Sequence, residues 1–305
     1  MQKSHKCAHA SQCTQIYKRT IGPPHGGPFH YEDKTFRKTS RHVVAPISPN
    51  ASFNLRLFVA KLGWSALFGG LLLAAILLTK AFWPTTAVLT RYDALTLYAI
   101  GVQIAMLSLR IETWSEMRVI LLFHATGTVM EIFKTNMGSW TYPEPSLFRL
   151  DQVPLFSGFM YAAVGSFMTR AIRVFDMSFS PFPHVAWLYV LGLLIYLNFF
   201  THHFMPDIRL ALVAATLVLF AKTRVQFRIE TRWFWMPLPL AALLSSSFLW
   251  VAENIRTLTR TWHYSNQTDW DLVSLSKMGS WYLLLYISFA SVLLVNRDAI
   301  KDKNC

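Results

Sequence analysis

The sequence predicts an all-α membrane protein of about eight transmembrane helices, and three observations carry that reading. Apolar residues make up 53% of the 305-residue chain. Charged residues make up 15%, against roughly 25% in an average soluble domain, too few to clothe a core of this size in polar surface. The apolar residues are also gathered into long runs, which a helix in lipid needs and a water-soluble amphipathic helix does not.

Residues 1–53 are polar, rich in His, Pro, Gly and Lys, and show no sustained period, so they read as a disordered cytoplasmic tail. Within the tail, His5, Cys7, His9 and Cys13 match no closed zinc spacing. With Cys305 at the other end, the cysteines lie only in the tails and supply no disulfide framework. The first apolar run begins near Leu55, too late for a secretory signal peptide. Residues 54–297 form the polytopic domain, with runs at 57–78, 92–110, 117–134, 153–174, 184–202, 207–221, 233–252 and 280–296. A spanning helix takes about 20 residues. The sixth run is the weakest, because Lys222 and Arg224 cut it short. Pro237 and Pro239 interrupt the seventh and predict a kink. Gly101 and Ala105 form a small-xxx-small pair suited to close helix contact.

The net charge of +13 does not mark a nucleic-acid groove, because the basic residues sit in the gaps between apolar runs. With the amino terminus inside and eight spans, the inner segments hold 21 of the 29 Lys and Arg residues and the outer segments hold eight. The short segment 222–232, with Lys222, Arg224, Arg228 and Arg232, weighs most. This bias predicts a multi-pass protein of the inner (plasma) membrane with both termini cytoplasmic.

The chain also repeats itself. The segment E-I-F-K-T-N-M-G-S-W-T-Y from Glu131 and the segment E-N-I-R-T-L-T-R-T-W-H-Y from Glu253 share Glu, Thr, Trp and Tyr at an offset of 122 residues. The same offset lays the first run over the fifth and the fourth over the eighth. Two parallel four-helix repeats, 54–175 and 176–297, account for this. An interfacial belt, where Trp and Tyr collect in any case, is the competing account of Trp140, Tyr142, Trp262 and Tyr264.

Ionisable groups inside apolar runs are costly and usually functional. His124, Thr128 and Glu131 fall on one helical face. Glu253 ends its run as Glu131 does. His202, His203 and Asp207 lie between the fifth and sixth runs on the same predicted side, and Asp269 and Asp271 add carboxylates from the last outer loop. Three roles compete for these residues. A buried carboxyl group that keeps its proton can act as a general acid, with Glu131, Glu253 and His124 as the catalytic candidates. His202, His203 and Asp207 can ligate a metal. Alternatively, Glu131 and Glu253 pair with Lys134 and Arg256, and His124 is a satisfied core histidine. The sequence contains no nucleophile elbow, P-loop, dinucleotide fingerprint or H-E-x-x-H, and names no cofactor.

The stretch F-H-A-T-G-T-V-M-E-I-F-K-T-N-M-G-S-W-T-Y-P-E, followed by V-P-L-F-S-G-F-M-Y-A-A-V-G-S, resembles the YoaT-like family of uncharacterised bacterial integral membrane proteins. That resemblance covers about residues 55–297 and implies the membrane class and a bacterial source. A fainter pattern is similar to the membrane-embedded carotenoid hydratases and lycopene cyclases, carried here by Glu131, Gly138, Trp140, Tyr142, Val153 and Pro154. It implies an acid within the bilayer that protonates a C=C bond, with aromatic faces stabilising the cation.

Three functions are open at this stage. The first is a membrane-embedded enzyme acting on an apolar, isoprenoid-like lipid, with Glu131 as acid, Glu253 as its partner and the four Trp and Tyr residues as walls. The others are a small-solute or ion transporter and a non-catalytic scaffold. The expected partner is the lipid bilayer, with no nucleic acid.

Overall fold

The computed structural model describes residues 51–84, 86–264 and 272–295. The polar tail before residue 51, the three cysteines, Asp269, Asp271 and the chain beyond residue 295 lie outside the described residues. Nine helices and seven short strands are described. In order they are α1 (Ala51–Ser65), α2 (Leu67–Phe82), α3 (Arg91–Ser108), α4 (Trp114–Asn136), β1 (Trp140–Thr141), β2 (Arg149–Leu150), β3 (Val153–Pro154), α5 (Phe156–Val174), β4 (Ser178–Ser180), α6 (Val185–Thr201), α7 (Arg209–Leu219), β5 (Arg224–Ile229), β6 (Arg232–Pro237), α8 (Leu238–Leu258), β7 (His263–Tyr264) and α9 (Leu275–Val295).

The chain is therefore mostly helical, but the number of candidate spans differs from the expected eight. Among the described residues, α8 and α9 are long and apolar enough to cross a membrane, and the pair α1–α2, bent by 71°, counts as a third if it is one span. The shortfall has physical causes. Helix α7 has 11 residues, roughly 16 Å of rise, against about 30 Å of hydrocarbon; the run at 207–221 includes apolar turn residues on either side of it. Helices α3, α4 and α5 are long enough but carry charge, including Arg91 and Asp93, Glu116 and Glu131, and Arg170 and Arg173.

Two local expectations are corrected. Pro237 closes β6 and caps α8, and Pro239 lies in the first turn of that helix. A missing N–H costs nothing there, so the prolines start the helix instead of kinking it. Segment 222–232 holds most of a β-hairpin, with β5 paired antiparallel to β4 and β6. Val225, Phe227 and Ile229 face inward while Arg224, Gln226 and Arg228 are exposed, the period-two alternation of a half-buried strand.

Helix ends are set by specific residues. The Thr90 hydroxyl caps α3 by accepting the Asp93 N–H, and Thr113 with Glu116 forms a reciprocal capping box at α4. Four helices close with the same left-handed turn: α3 at Arg110, α4 at Gly138, α5 at Asp176 and α8 at Arg260, all at positive φ. In α4 the Gly138 N–H donates to the Thr135 carbonyl and the Ser139 N–H to that of Lys134. In α8 the Arg260 and Thr261 N–H groups donate to Thr257 and Arg256 in the same way.

Packing sorts the helices into two layers of ends. At one end Phe175, Phe227 and Ile229 pack with Phe58 and Leu62 of α1. At the other, Leu72 and Ile76 of α2, Tyr92 and Leu95 of α3, and Phe156 and Met160 of α5 surround Trp262. The tightest contact joins α4 to α5. A Cβ on Gly127 would lie 2.5 Å from Tyr161, and one on Gly158 would lie 2.5 Å from His124, so only glycine admits this approach. Near the first layer a buried ion pair ties Arg170 to Glu112 at 2.6 Å, both side chains at most 1% exposed. Gln103 and Ser166 also donate to the Glu112 carboxylate.

Candidate functional site

The site lies in the second layer, where α4 and α8 end. After its left-handed turn each helix runs into a two-residue strand. Residues two apart on a strand face the same way, which returns an indole and a phenol to the carboxylate nine and eleven residues earlier. Trp140 Nε1 donates to Glu131 Oε2 at 2.8 Å and the Tyr142 hydroxyl donates to the same oxygen at 2.7 Å. Trp262 Nε1 donates to Glu253 Oε1 at 3.2 Å and the Tyr264 hydroxyl donates at 2.5 Å. The strands β1 and β7 pair antiparallel, with Trp140 opposite Tyr264 and Thr141 opposite His263.

The two carboxylates are not equally satisfied. Glu131 Oε1 accepts a further hydrogen bond, 2.7 Å from the Tyr161 hydroxyl of α5. Glu253 Oε2 has no hydrogen-bond partner among the described residues, and its nearest cation, Arg256 Nη1, stands at 3.8 Å. Both glutamates are buried, at 4% and 2% exposure.

Glu131 and Glu253 line one cavity of about 170 Å³. Trp140, Tyr161, Trp262, Tyr264 and Trp281 supply aromatic walls, with Met130, Met160, Phe199 and Leu284 between them. Lys134, Arg209, Arg256 and Lys277 supply cations from α4, α7, α8 and α9.

The predicted site residues separate accordingly. Glu131, Glu253, Trp140, Trp262, Tyr264 and His202 meet at the cavity. Tyr142 stands behind it, edge-on to Tyr92 and Trp262. His124 does not line it: the imidazole is half-buried against Phe159, 4.6 Å between centroids. Thr128 and Glu131 are buried on that side of α4 while Val129 is exposed. Of the proposed local ion pairs, Arg256 approaches Glu253, but Lys134 turns from Glu131 to the histidines. Its ammonium lies 3.1 Å from His202 Nε2 and 2.9 Å from His203 Nε2. His202 Nδ1 sits 2.8 Å from the Asn198 carbonyl, which places the proton there and leaves Nε2 to accept from the lysine.

The metal candidates His202, His203 and Asp207 are each engaged with other protein groups. Among the described residues no three His, Cys, Asp or Glu side chains converge as a metal-binding group. A lysine ammonium sits against the two imidazoles, and Asp207 bonds instead to Asn198 and to Arg209, at 3.2 and 2.5 Å. Burial, then the nearby Lys134 charge, hold His203 below the ordinary histidine range. His202 is lowered too, chiefly by burial, although the Asn198 carbonyl opposes this. Burial would raise Asp207, but the Arg209 N–H, Asn198 and the Arg209 side chain outweigh it and hold the carboxyl low. Burial, reinforced by the adjacent carboxylates, pushes the Tyr142 and Tyr264 phenols well above their usual range, so both remain donors.

Tyr161, Arg209, Lys277 and Trp281 were not singled out from the sequence. Arg209 and Lys277 carried a signal all the same, as basic residues on the side that the charge bias leaves poor in them.

The sequence profile described as "Protein of unknown function (DUF817)" matches residues 54–289. The chain belongs to the DUF817 family. It is 39% identical over 239 residues to "Uncharacterized protein YoaT" of Bacillus subtilis (strain 168), covering 77% of this chain and 90% of that protein. No solved structure matches this DUF817 chain. The family match spans every residue of the cavity, from Met130 to Leu284.

Proposed function

We propose that this protein is a membrane-embedded enzyme whose acid, Glu253, protonates a C=C bond of an apolar, isoprenoid-like lipid. The observation that carries this is the unequal partnering of two buried carboxylates on one cavity: the oxygen that accepts no hydrogen bond among the described residues is Oε2 of Glu253, with Arg256 3.8 Å away. Glu131, held by three donors, is the fixed partner. This reverses the roles that position alone suggests. The proton leaves Oε2, the π electrons form the new C–H bond, and the adjacent carbon becomes cationic. Trp140, Trp262 and Tyr264 offer π faces to that cation. Loss of a proton from a neighbouring carbon to the carboxylate restores the acid. The test is lipid and pigment profiling of a deletion strain complemented in turn with the wild type, Glu253→Gln and Glu131→Gln. Loss of the wild-type profile with Glu253→Gln is expected. Full complementation by that variant sinks the proposal.

A transporter is the second reading, favoured by Asn198, Lys134, Arg209, Ser276, Ser280 and Lys277 around the same cavity. Proteoliposome flux separates the two, since an enzyme of this kind moves no solute.

The same proposal includes a multi-pass topology with both termini cytoplasmic, the chain crossing in alternation at α2 to α6, at the run 207–221 in which α7 is extended by its flanking apolar residues, and at α8 and α9. Arg170 of α5 is buried and paired with the buried Glu112, while Arg173, paired with Glu116, is exposed at the end of α5; a charge paired inside the bundle and one exposed at a helix end are what crossing by α5 requires. Reporter fusions after Asp302 and within 222–232 should both give the cytoplasmic signal, and a periplasmic signal at either refutes this topology. The matched hydrogen bonds of Glu131 and Glu253 support the two-repeat reading of 54–175 and 176–297. A Glu131→Gln, Glu253→Gln double-mutant cycle tests their coupling, and strict additivity counts against a shared site.

A further inference from the structure

We infer that the cavity binds an anion of two or more charges, of the phosphate or diphosphate type, as the headgroup of an otherwise apolar ligand; this rests on the cavity being the working site. Four cations line it against two carboxylates. Two of the four have no carboxylate within ion-pair distance among the described residues. Lys134 meets only imidazole nitrogens, and Lys277 lies over the faces of Tyr264 and Trp140, 4.3 and 5.9 Å from the ring centroids. Arg256 likewise lies over Trp262, at 5.4 Å. Only Arg209 is closely paired, to Asp207, and its Nη1 reaches into the cavity wall at Ser280, 2.9 Å away.

Gathering like charges on four helices costs both desolvation and mutual repulsion. Asp207 answers Arg209 and Glu253 stands 3.8 Å from Arg256, but Lys134 and Lys277 have no such carboxylate partner among the described residues, and a ligand can supply their counter-charge. One carboxylate group would answer to a single arginine; four cations in one small space match a multiply charged oxyanion. The charge bias sharpens this, because four of the eight basic residues assigned to this side of the membrane are the four in the cavity. Met130, Met160, Phe199, Trp281 and Leu284 form an apolar stretch of the same wall, beside the polar Asn198, His202, Ser276 and Ser280, so the space accepts a hydrocarbon chain next to its charged head.

The experiment is binding to the full chain in detergent, at constant ionic strength, by thermal shift and titration calorimetry. The probes are a short-chain prenyl diphosphate, the matching prenyl alcohol and sodium diphosphate. The expected result is binding of the prenyl diphosphate at least about tenfold tighter than the alcohol. Lys277→Gln should remove most of that preference, and Lys277→Arg should restore it. Lys134→Gln should act in the same direction, with alcohol binding unchanged in each variant. Tight binding of sodium diphosphate with no gain from the prenyl chain assigns the site to a free anion and overturns the lipid half of the inference. Equal affinity for diphosphate and alcohol overturns the anion site itself. Failure of the acid reading is separate, because Glu253→Gln would then bind the prenyl diphosphate normally and still give the wild-type lipid profile.

Discussion

Trp140 and Tyr264 face each other across a two-residue antiparallel ladder, their rings 5.8 Å apart and nearly perpendicular. Each belongs to the donor pair of a different carboxylate, so the ladder fixes Glu131 and Glu253 as neighbours on one cavity.

Replacing Tyr264 by Phe deletes the shorter of the two hydrogen bonds to Glu253 and leaves a buried carboxylate with the indole alone. The expected cost is about 1–3 kcal/mol of stability, since the acceptor is ionisable and buried. Tyr98→Phe, whose hydroxyl makes only a long, exposed contact with Leu71, should stay within about 0.5 kcal/mol. Thermal melting of both variants in the same detergent checks the contrast.

Gly127→Ala should destabilise even though alanine is the better helix former. Propensity alone favours the change by about 1 kcal/mol. The added methyl, however, would stand 2.5–2.7 Å from the Tyr161 side chain, an overpacking that typically costs about 1–3 kcal/mol. Because Tyr161 donates to Glu131, the variant should also perturb the site, whereas Gly101→Ala, in open space, should do neither.

Glu112→Gln breaks a buried ion pair and leaves the Arg170 guanidinium uncompensated, at an expected cost of about 3–5 kcal/mol. Replacing both residues together, as Glu112→Leu with Arg170→Met, should recover much of that loss. A double variant no more stable than the single one would show that other partners of Arg170, such as the Trp64 carbonyl, dominate.

The histidines predict a pH dependence. His202 and His203 have folded-state values below the ordinary 6.5. A lowered histidine binds fewer protons folded than unfolded, so its contribution is fully present above pH 6.5 and is lost as pH falls through the folded value. Melting temperature should therefore drop on acidification below about pH 6.5. His202→Gln with His203→Gln should flatten that limb of the profile; an unchanged slope would assign the loss to other groups.

How much of this was legible beforehand depends on the range of the signal. The recurrence of Glu131 with Trp140 and Tyr142, and of Glu253 with Trp262 and Tyr264, was in view as a repeat at an offset of 122 residues, but the aromatics were read as walls and not as donors to the carboxylates, because the left-handed turn that brings them back over nine and eleven residues has no signal in hydropathy. The β5–β6 hairpin was equally local, and its alternation of Arg224, Val225, Gln226 and Phe227 was in view. Its arginines were read as loop charge, which hid the strand. Tyr161 could not be read at all and Lys277 only as a basic residue on the side poor in them, since their roles depend on how α5 and α9 pack. The length of α7 was obscured because the apolar turn residues Ile208, Phe220 and Ala221 look the same as helix in a hydropathy profile.

The β1–β7 ladder has a further consequence for assembly during synthesis. Tyr161 is the most distant of Glu131's donors, 30 residues on, so that carboxylate is fully surrounded while much of the chain is still unmade. The ladder joins residues more than 120 positions apart, and closing a loop of that length costs roughly 4 kcal/mol in chain entropy. Cavity closure is thus a late, all-or-none event in the ribosomal order of the chain. A truncated product ending before Trp262 would hold one finished carboxylate and half a vessel, with neither Trp262 nor Tyr264 to meet Glu253.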